Sequence, residues 1–368
     1  MVSRRTFVVS AGAALGALPP LVGCSSADDV EEYRRAAEEA RRTGANGESE
    51  RPVVYRELVR LATLAPSSHN TQCWRFRIEP PAITVLPDLS RRCPAVDPDD
   101  HHLFVSLGCA SENLVQAALA NALHGTVAVD PAGDGAIRIV LEPTRAVASP
   151  LVQAIPERQS TRGVYDGQRL SIDELRQLEA AGTGDGVRLL LLTDRSAMEG
   201  VLDFVIQGNT AQMADPAFMA ELTSWIRFNP RDAIRTGDGL FGGTTGNPST
   251  PAWLGKLLLG AFFTPKKENE KYAAHVRSSA GIAVFAADVS DRAHWVNVGR
   301  CYERFALQAT VLGIRTAHLN QPVEVASIRS QFATSLGLEG RRPDLVVRFG
   351  RGPTMLPSLR RPLRAVIA

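Results

Sequence analysis

Residues 65–76 have the sequence APSSHNTQCWRF, and the chain changes from helix to strand across them. Before this stretch, apolar residues from Val54 to Ala65 recur at helical spacing and stop at Pro66, which ends a helix. After it, Trp74–Ile78 alternates between apolar and charged side chains, as a half-buried strand does. The residues between carry hydroxyl, imidazole and amide groups, so the sequence predicts a loop that presents several hydrogen-bonding side chains together.

The same patterns predict mixed helices and strands on both sides of this loop. Strands are expected over 74–78 and 83–86, followed by an Ala-rich helix over 103–125 and strands over 126–129 and 136–141. A second unit is expected from about Pro150. Its predicted elements are a helix at 171–181 capped by Ser171, a strand at 187–192, a mainly helical stretch at 197–228, a loop at 237–251, an apolar segment at 253–263 that is too short to span a bilayer, a strand at 282–286, a helix at 295–313 and a strand at 345–350. We therefore expect an α+β protein.

The composition is that of a globular protein. Of 368 residues, 44% are hydrophobic and 22% are charged, which excludes a disordered or collagen-like chain. There are 41 Lys and Arg residues against 39 Asp and Glu, and two of the arginines, Arg4 and Arg5, lie in a segment that we expect to be removed. The remaining chain is formally neutral, so we expect no general binding of nucleic acid.

The N-terminal segment resembles a twin-arginine export signal that ends in a lipobox. Arg4 and Arg5 precede an apolar stretch that closes with Leu21-Val22-Gly23-Cys24. We expect a signal peptide over 1–23, a lipid on Cys24, a polar tether over 24–51 that begins with a short solvated helix, and a cell-envelope protein that contacts the membrane through its lipid anchor only. The alternative is a retained membrane anchor. Twin-arginine signals carry folded proteins, which suits a cofactor inserted before export.

The other cysteines form no recognisable metal motif. Cys73, Cys93, Cys109 and Cys301 are scattered, with no CxxC pair. A zinc set of Cys93, His101, His102 and Cys109 can be drawn, but its spacing is irregular. We expect no metal.

The polar loop and two arginine-rich segments are the candidate sites. In the loop, ordinary capping and a Ser–His nucleophilic pair are alternatives to ligand binding, although no nucleophile elbow surrounds Ser67 or Ser68. Arg158-Gln159-Ser160-Thr161-Arg162 places two guanidiniums around a hydroxyl, which suits a phosphate. Arg348-Phe349-Gly350-Arg351-Gly352, with Arg360-Arg361-Pro362, also suits an anion. A solvated surface segment is the alternative for both.

Together these segments resemble the FMN-dependent nitroreductase family, and in particular its Acg-like subfamily, in which two nitroreductase-type halves are fused. The resemblance covers most of 52–368. Further matching segments are Leu86-Pro87-Asp88 with Arg91 and Asp97-Pro98, Ser106-Leu107-Gly108 with Glu112-Asn113-Leu114, Trp225-Ile226-Arg227-Phe228, and Leu319-Asn320-Gln321-Pro322. The resemblance implies a three-layer α/β/α sandwich with halves at 52–150 and 151–368, an internal pseudo-dimer, and a lid insert at about 225–263.

The order of the motifs implies one flavin site per chain. In the family, the RxSxR motif precedes the APSxxN loop in each subunit, and two subunits share each flavin. Here the first half has the loop without the arginine motif, and the second half has the arginine motif but Gly182–Gly186 in place of the loop. We therefore expect one composite site, one FMN per chain, and a monomer.

The resemblance also implies roles for particular residues. Arg158, Ser160 and Arg162 would hold the phosphate and ribityl chain of FMN, and Arg360 or Arg361 would add a phosphate contact. Ser67, Asn70 and Gln72 would face the flavin ring, and His69 would lie near it or serve in packing. Cys73 stands where the family has proline, which puts the loop's shape in question. No catalytic residue is assigned.

The implied activity is transfer of hydride from NAD(P)H to flavin, followed by reduction of a nitro, quinone or similar small aromatic acceptor. The first alternative is a flavin-binding protein whose lid excludes substrates and which does not turn over. The second is a binding module that no longer holds FMN. The sequence names neither the acceptor nor the reductant.

Overall fold

Two antiparallel four-stranded sheets and thirteen helices make up the described part of the computed structural model, which comprises residues 27–42, 51–130, 133–245 and 249–368. The helices are α1 (Ala27–Arg41), α2 (Arg51–Ala62), α3 (His101–Ala120), α4 (Pro150–Ala154), α5 (Ile172–Gly182), α6 (Arg195–Ala214), α7 (Pro216–Trp225), α8 (Pro230–Thr236), α9 (Ala252–Phe262), α10 (Pro265–Arg277), α11 (Arg292–Val311), α12 (Gln321–Glu324) and α13 (Ala326–Ser335). The strands are β1 (Trp74–Glu79), β2 (Ala82–Pro87), β3 (Leu123–Val129), β4 (Ile137–Pro143), β5 (Val187–Leu192), β6 (Ile226–Arg227), β7 (Leu240–Phe241), β8 (Gly281–Ala287), β9 (Arg315–His318) and β10 (Pro343–Gly350).

The two large sheets have the same topology. The first has the order β1-β2-β4-β3 and the second β5-β8-β10-β9, and in each a long helix joins the second strand to the third. These helices are α3 in the first half and α11 in the second. The predicted α+β fold with two tandem halves is confirmed, while the exact boundary at residue 150 stays a prediction.

The two connecting helices cross at a pair of glycines. A Cβ atom on Gly108 of α3 would lie 2.1 Å from the carbonyl oxygen of Val296, and one on Gly299 of α11 would lie 2.0 Å from that of Val105. Only glycine permits such an approach of two helix backbones. The reciprocal contacts bring the halves together around one continuous hydrophobic core.

The halves differ in what covers their sheets. β1 alternates buried and exposed residues along much of its length, as expected for a sheet with one face in the core and one face outside. β8 and β10 are buried along their whole length, because α6, α12 and α13 pack on the face opposite α11. The helices α6 and α10 belong to a long connection between β5 and β8, where the first half has only a Pro-Pro turn between β1 and β2.

The C-terminal residues return to the first half. The backbone N–H of Phe76 in β1 donates to the carbonyl oxygen of Val366 at 2.7 Å, and the N–H of Ala368 donates to the carbonyl of Phe76 at 2.7 Å. The chain therefore passes from the second half along residues 351–365 to the edge of the first sheet. This crossing places Arg360 and Arg361 beside the loop at 65–76.

The short helix predicted at the start of the polar tether forms as α1, but it packs against the protein and is not solvated on all sides. In α1, Tyr33 and Ala37 are fully buried against Phe241 and Leu359, and the Tyr33 hydroxyl donates to the carbonyl of Pro357 at 3.0 Å. The charged pattern of α1 gave no sign of these two apolar contacts. The predicted signal peptide and Cys24 lie outside the described residues.

Two predicted element boundaries were also wrong. The helix expected over 103–125 ends at Ala120, because Ala122 adopts a positive φ of 57° and β3 begins at Leu123. The helix expected from Trp295 begins at Arg292, because the side chain of Asp291 accepts from the N–H of His294 and caps the first turn. Within the described residues, one helix, α3, has the length and apolar composition of a membrane span, and 83% of that span is buried in the core.

Candidate functional site

The loop at 65–76 has an unusual backbone. After α2 ends, Ser68–Asn70 forms a 3₁₀ turn, and His69, Asn70 and Gln72 have positive φ angles of 49°, 54° and 55°. Residues other than glycine adopt this region rarely and at a cost on the order of 1 kcal/mol or more each. The surrounding structure must therefore hold the loop in place.

Two neighbouring segments supply that support. The side-chain amide of Asn70 donates to the carbonyl of Gly239 at 3.1 Å, and the N–H of Gly239 returns a bond to the carbonyl of Asn70 at 3.2 Å. The Gln72 amide donates to the carbonyl of Gly237 at 2.8 Å, while its oxygen accepts from the backbone N–H of Arg361 at 2.8 Å. The loop is thus fixed jointly by the 237–239 turn and by the C-terminal segment.

The segment at 158–162 is fixed from the second sheet. The N–H of Thr161 donates to the carbonyl of Thr316 in β9 at 2.9 Å. Arg348 is fully buried in β10 and donates to the carbonyls of Thr161 and Gly163 at 3.2 and 2.7 Å, with its guanidinium 4.0 Å from the Tyr165 ring. The prediction of an anion site at Arg348 is therefore wrong, because backbone carbonyls and an aromatic ring already occupy this guanidinium.

A small pocket of about 60 Å³ lies where these segments meet, and we call it the arginine pocket. Four arginines and no carboxylate line it among the described residues. The lining residues are Arg41, Pro66, Ser67, Asn70, Arg158, Gln159, Ser160, Arg162, Leu240, Thr244, His318, Leu356, Ser358 and Arg360. So concentrated a positive charge, with no acid on the pocket wall, favours an anion.

Two of the four arginines are committed to the protein. All three nitrogens of the Arg360 guanidinium donate, to the carbonyls of Thr63, Leu64, Ala65, Ser358 and Leu359 and to the side-chain oxygen of Asn70, at 2.6–3.3 Å. The first three carbonyls follow α2, so Arg360 caps that end of the helix. Arg41 donates to the carbonyls of Ala37 and Ser358 at 3.0 and 2.9 Å.

The other two arginines keep free donors. Arg158 is 3% exposed, and its Nη1 has no hydrogen-bond partner within the described part of the chain. Arg162 makes no hydrogen bond or ion pair with any described residue, and burial lowers the pKa of its guanidinium. These free donors are where the pocket would bind a ligand, because a buried donor without a partner is costly and an incoming anion would accept hydrogen bonds from it.

A buried carboxylate stands behind Arg158. Glu303 Oε1 lies 3.2 Å from Arg158 Nε, and both side chains are buried. Burial raises the pKa of Glu303 to about 7, against the lowering effect of Arg158. Protonation of Glu303 near neutral pH would leave the charge of Arg158 available to the pocket.

A second, larger cavity of about 620 Å³ opens beside the arginine pocket, and we call it the main cavity. Its volume lies within the range usual for small-molecule sites. Five residues line both spaces, so the two lie side by side: Pro66, Ser67, Arg162, Leu240 and His318. Together they could receive a molecule with an anionic end and a bulky, largely apolar body.

The predicted lid residues form part of the main cavity's wall. Phe228 and Phe241 line it, as do the residues Leu258, Leu259, Phe262 and Phe263 at the C-terminal end of α9. Leu345 and Val105 line it from the two halves of the fold. On this side the body of a ligand would contact apolar side chains, whereas the rest of the wall includes charged residues such as Glu268, Lys271 and Glu324.

Two neutral imidazoles line the main cavity. Burial, together with the positive charge of Arg162, lowers the pKa of His69 to about 4 and that of His318 to about 3. At neutral pH, each ring carries one N–H donor and one acceptor nitrogen, so these residues can orient a polar edge without adding charge.

Six of the eight residues predicted to bind a cofactor are brought together. Ser67, Asn70, Arg158, Ser160, Arg162 and Arg360 line the arginine pocket, while Gln72 and Arg361 line neither space. Gln72 is fully buried and bonded to Gly237 and Arg361. The Arg361 side chain points elsewhere, donating to the carbonyls of Gln72 and Ala365 at 3.3 and 2.8 Å.

Sequence reasoning missed several residues of the site. Arg41 reaches it only because α1 docks, and Glu303 comes from the middle of α11. His318 is the last residue of β9, a short strand that was not predicted. Of these, only Glu303 could have been suspected from the sequence, because it is a charged residue on the apolar face of a core helix.

The geometry gives little support to the two alternatives for these residues, a Ser–His nucleophilic pair in the polar loop and a zinc site at the cysteines. His69 faces Cys93 Sγ at 3.6 Å through Nδ1, and its neighbour Ser68 forms no bond with it among the described residues. Cys93 groups with His69 and Glu221, whereas His101 and His102 group with Asp97, so the zinc set drawn from the sequence does not converge. Cys109 instead donates to the carbonyl of Gly299 at 3.2 Å.

Comparison with known proteins gives distant relatives of similar length. No family model matches the chain. A Mycobacterium tuberculosis protein named "Putative NAD(P)H nitroreductase Rv3131" is 25% identical over 335 residues, covering 85% of this chain and 91% of that one. Another from the same organism, "Putative NAD(P)H nitroreductase acg", is 22% identical over 322 residues, covering 82% and 90%.

Solved structures that align with part of the chain include an FMN-dependent nitroreductase, NfnB from Mycobacterium smegmatis, in complex with NADPH. It is 12% identical, has a TM-score of 0.37, and the alignment covers 59% of this chain and 96% of that one. A nitroreductase with bound FMN from Desulfitobacterium hafniense is 15% identical with a TM-score of 0.34, over 59% and 96%.

Proposed function

We propose that this chain binds one FMN in the joined arginine pocket and main cavity and acts as an NAD(P)H-dependent oxidoreductase of the nitroreductase type. The observation that carries the proposal is the set of free donors on Arg158 Nη1 and Arg162, in a pocket lined by no carboxylate among the described residues and beside a larger cavity that has an apolar wall at α9. The names of the two mycobacterial relatives agree with it.

The residues present fit such a cofactor. Arg158 Nη1 and the Arg162 guanidinium would take the phosphate, the strongest anionic group of FMN, by charge-assisted hydrogen bonds. Ser160 lies between them in sequence and would add a hydroxyl donor. Arg360 would contribute charge from the pocket wall, while its own hydrogen bonds stay with the protein. The ring system would occupy the main cavity.

When bound, FMN would supply the redox chemistry, accepting two electrons from a reduced nicotinamide and passing them to an acceptor. This chain's own residues bind, orient and exclude water. Ser67 lies where the two spaces join, and its Oγ accepts from the N–H of Gln72 at 2.9 Å, so its own hydroxyl proton stays available to a ligand. His69 and His318 offer neutral donors and acceptors.

We further propose that the acceptor is a small aromatic compound such as a nitroarene or quinone. The support is the apolar wall that α9 and its neighbours give to the main cavity, including Phe228 and Phe262. Flat aromatic molecules bind by burying area against such side chains.

We also propose export by the twin-arginine route and attachment of a lipid at Cys24. This rests on Arg4, Arg5 and the Leu21–Cys24 box alone. A mass measurement of the mature protein from a membrane fraction tests it. A chain that begins at Cys24 with a diacylglyceryl mass is the expected result, and a soluble chain that retains Arg4 would contradict it.

The activity is tested by adding NADPH to the FMN-loaded protein without oxygen. Loss of the flavin absorbance near neutral pH, and its return when a nitroarene or quinone is added, is the expected result. Firmly bound FMN that NADPH and NADH leave oxidised would favour the flavin-holding alternative instead. The variant Arg162→Gln, loaded with the same occupancy at higher FMN concentration, serves as the control for phosphate binding alone.

A further inference from the structure

Helix α9, Ala252–Phe262, is apolar on its outer face as well as on the face toward the main cavity. Its sequence is AWLGKLLLGAF, in which Lys256 is the one charged residue. Leu258 and Leu259 line the main cavity. The exposed positions are 253, 256, 257, 260, 261 and 262. The first five are spaced as one stripe along the side of the helix opposite Leu258 and Leu259, whereas Phe262 lies at the end of the helix on the cavity side.

The outer stripe exposes large side chains. Trp253 is 64% exposed, Leu257 63%, and Phe262 at the end of the helix 58%. A helix that is apolar on all sides is normally buried in protein or in lipid, and a contiguous exposed apolar patch marks an interaction surface. We call Trp253, Leu257 and the stripe to which they belong, together with the exposed ring of Phe262 at the end of the helix, the α9 outer face; the Phe262 ring also lines the main cavity.

Basic residues surround the α9 outer face. Lys256 lies within it, and Lys266 and Lys267 follow at the start of α10, all three of them exposed. The ammonium group of Lys267 lies 5.1 Å from the centre of the Phe262 ring. From 252 to 267 there is no acidic residue. Exposed aromatic and aliphatic side chains bordered by lysines match an anionic lipid surface.

The described start of α1 is linked to α9 through Arg231 and Phe228. Asp29 in α1 accepts from Arg231 at 3.0 Å, and Arg231 follows Phe228 by three residues. The Phe228 ring lies directly against Gly255 of α9, and the N–H of Thr250 donates to the Phe228 carbonyl at 3.0 Å. Cys24 precedes Asp29 by five residues, a chain length of at most about 18 Å.

We propose that the α9 outer face docks on the surface of an anionic lipid bilayer, with Trp253, Leu257 and Phe262 entering the interface and the three lysines contacting headgroups. This contact is additional to the lipid anchor, which the sequence predicted as the sole attachment. It does not depend on which ligand the main cavity takes. Since the inner side of α9 lines that cavity, docking would place the cavity's wall at the membrane.

The direct test locates Trp253 relative to the bilayer. The full chain carrying Cys24→Ser is mixed with phosphatidylglycerol–phosphatidylcholine vesicles whose acyl chains are either brominated or not. Of the four tryptophans, Trp74 and Trp295 are buried and Trp225 is half-buried, so Trp253 gives the exposed signal, and Trp253→Phe identifies it. We expect Trp253 emission to shift to shorter wavelength and to be quenched by the brominated chains.

A variant series tests the energetics. In the same Cys24→Ser background, Trp253→Ser, Leu257→Ser and Phe262→Ser together should weaken partitioning onto these vesicles by tenfold or more, that is by at least ~1.4 kcal/mol, from the apolar area that lipid no longer covers. Lys256→Gln should weaken it by about fivefold. Ile172→Ser and Val289→Ser remove equally exposed apolar side chains from other elements and should leave it unchanged.

Three results would count against docking of the α9 outer face on a bilayer. Trp253 emission that is unchanged on vesicle-bound protein, or a triple variant that partitions as tightly as the parent, would overturn the proposal. A dimer in sedimentation that the triple variant abolishes would also overturn it, since the α9 outer face would then pair with a second copy of the chain. All three side chains are exposed, so the triple variant should fold, and its circular dichroism checks this.

Discussion

Of the arginines that line the arginine pocket, Arg162 is the one whose substitution should change ligand binding with the least effect on the stability of the protein. It lines both the arginine pocket and the main cavity, and it makes no bond to any described residue. The pKa of its guanidinium is lowered because burial disfavours the charge. Replacing it with glutamine should therefore leave the unliganded protein as stable as the parent, or slightly more stable, because no hydrogen bond is lost and a desolvated charge is removed.

The affinity for FMN, unlike the stability, should fall in Arg162→Gln. A hydrogen bond to a charged group contributes about 1.5–3 kcal/mol, so loss of the contact between Arg162 and a phosphate should weaken FMN binding about 10- to 150-fold. Calorimetric titration of FMN into the unliganded protein measures this, and thermal unfolding without FMN measures stability. Arg145→Gln is the matched control, because it makes the same change at an exposed residue outside both spaces.

Two results would refute this reasoning. Arg162→Gln that binds FMN within twofold of the parent would show that the phosphate does not lie in the arginine pocket. A variant that loses binding together with more than about 1 kcal/mol of unfolding free energy would show that Arg162 has a structural role.

Three further predictions concern the surrounding structure. Arg360→Gln should lower the unfolding free energy by at least about 3 kcal/mol, because it removes the donors that cap α2. Chemical denaturation should show a smaller loss for the neighbouring Arg361→Gln, and equal losses would contradict this prediction. Gly299→Ala should lower the unfolding free energy by at least about 2 kcal/mol, because the new Cβ would lie 2.0 Å from a backbone oxygen. Gly200→Ala in α6 has nothing within 4 Å of its new Cβ and should stabilise the fold by about 0.5–1 kcal/mol. Thermal unfolding compares the two variants, and equal effects would contradict the close helix crossing. The contribution of Glu303 to the unfolding free energy should fall by on the order of 3 kcal/mol as pH rises from 4.5 to 7, because burial raises its pKa from 4.5 to about 7 and the folded state holds the extra proton across that window. His69 and His318, whose pKa values are lowered, change the total stability in the opposite direction, so the quantity to measure is the difference between the pH profiles of the parent and Glu303→Gln in denaturant titrations; identical profiles would contradict the prediction.

The polar loop and the arginine segment could be found from sequence because each is local. Pro66 ends a helix, Trp74 starts a strand, and the donors between them must face something. Ser160 and Arg162 are likewise close in the chain and enter the same pocket. The α+β pattern followed from helical and strand periodicities that the sequence shows directly.

The remaining features depend on contacts between distant segments. Gln72 has the residue type of a ligand contact, but its φ of 55° turns the amide toward Gly237. Arg361 is adjacent to Arg360, and only the path of residues 351–365 decides that Arg360 alone lines the pocket. Arg41 belongs to a helix whose charge pattern indicates solvent, while Tyr33 and Ala37 dock it. No local pattern carries this information.

The most direct measurement is the visible absorption spectrum of the purified mature protein, followed by release of any chromophore and its identification by mass. We expect a flavin spectrum and FMN at about one per chain, since the arginine pocket, with its free Arg158 and Arg162 donors, adjoins the main cavity. A colourless protein that also fails to take up added FMN would contradict the account, and the arginine pocket would then serve another anion.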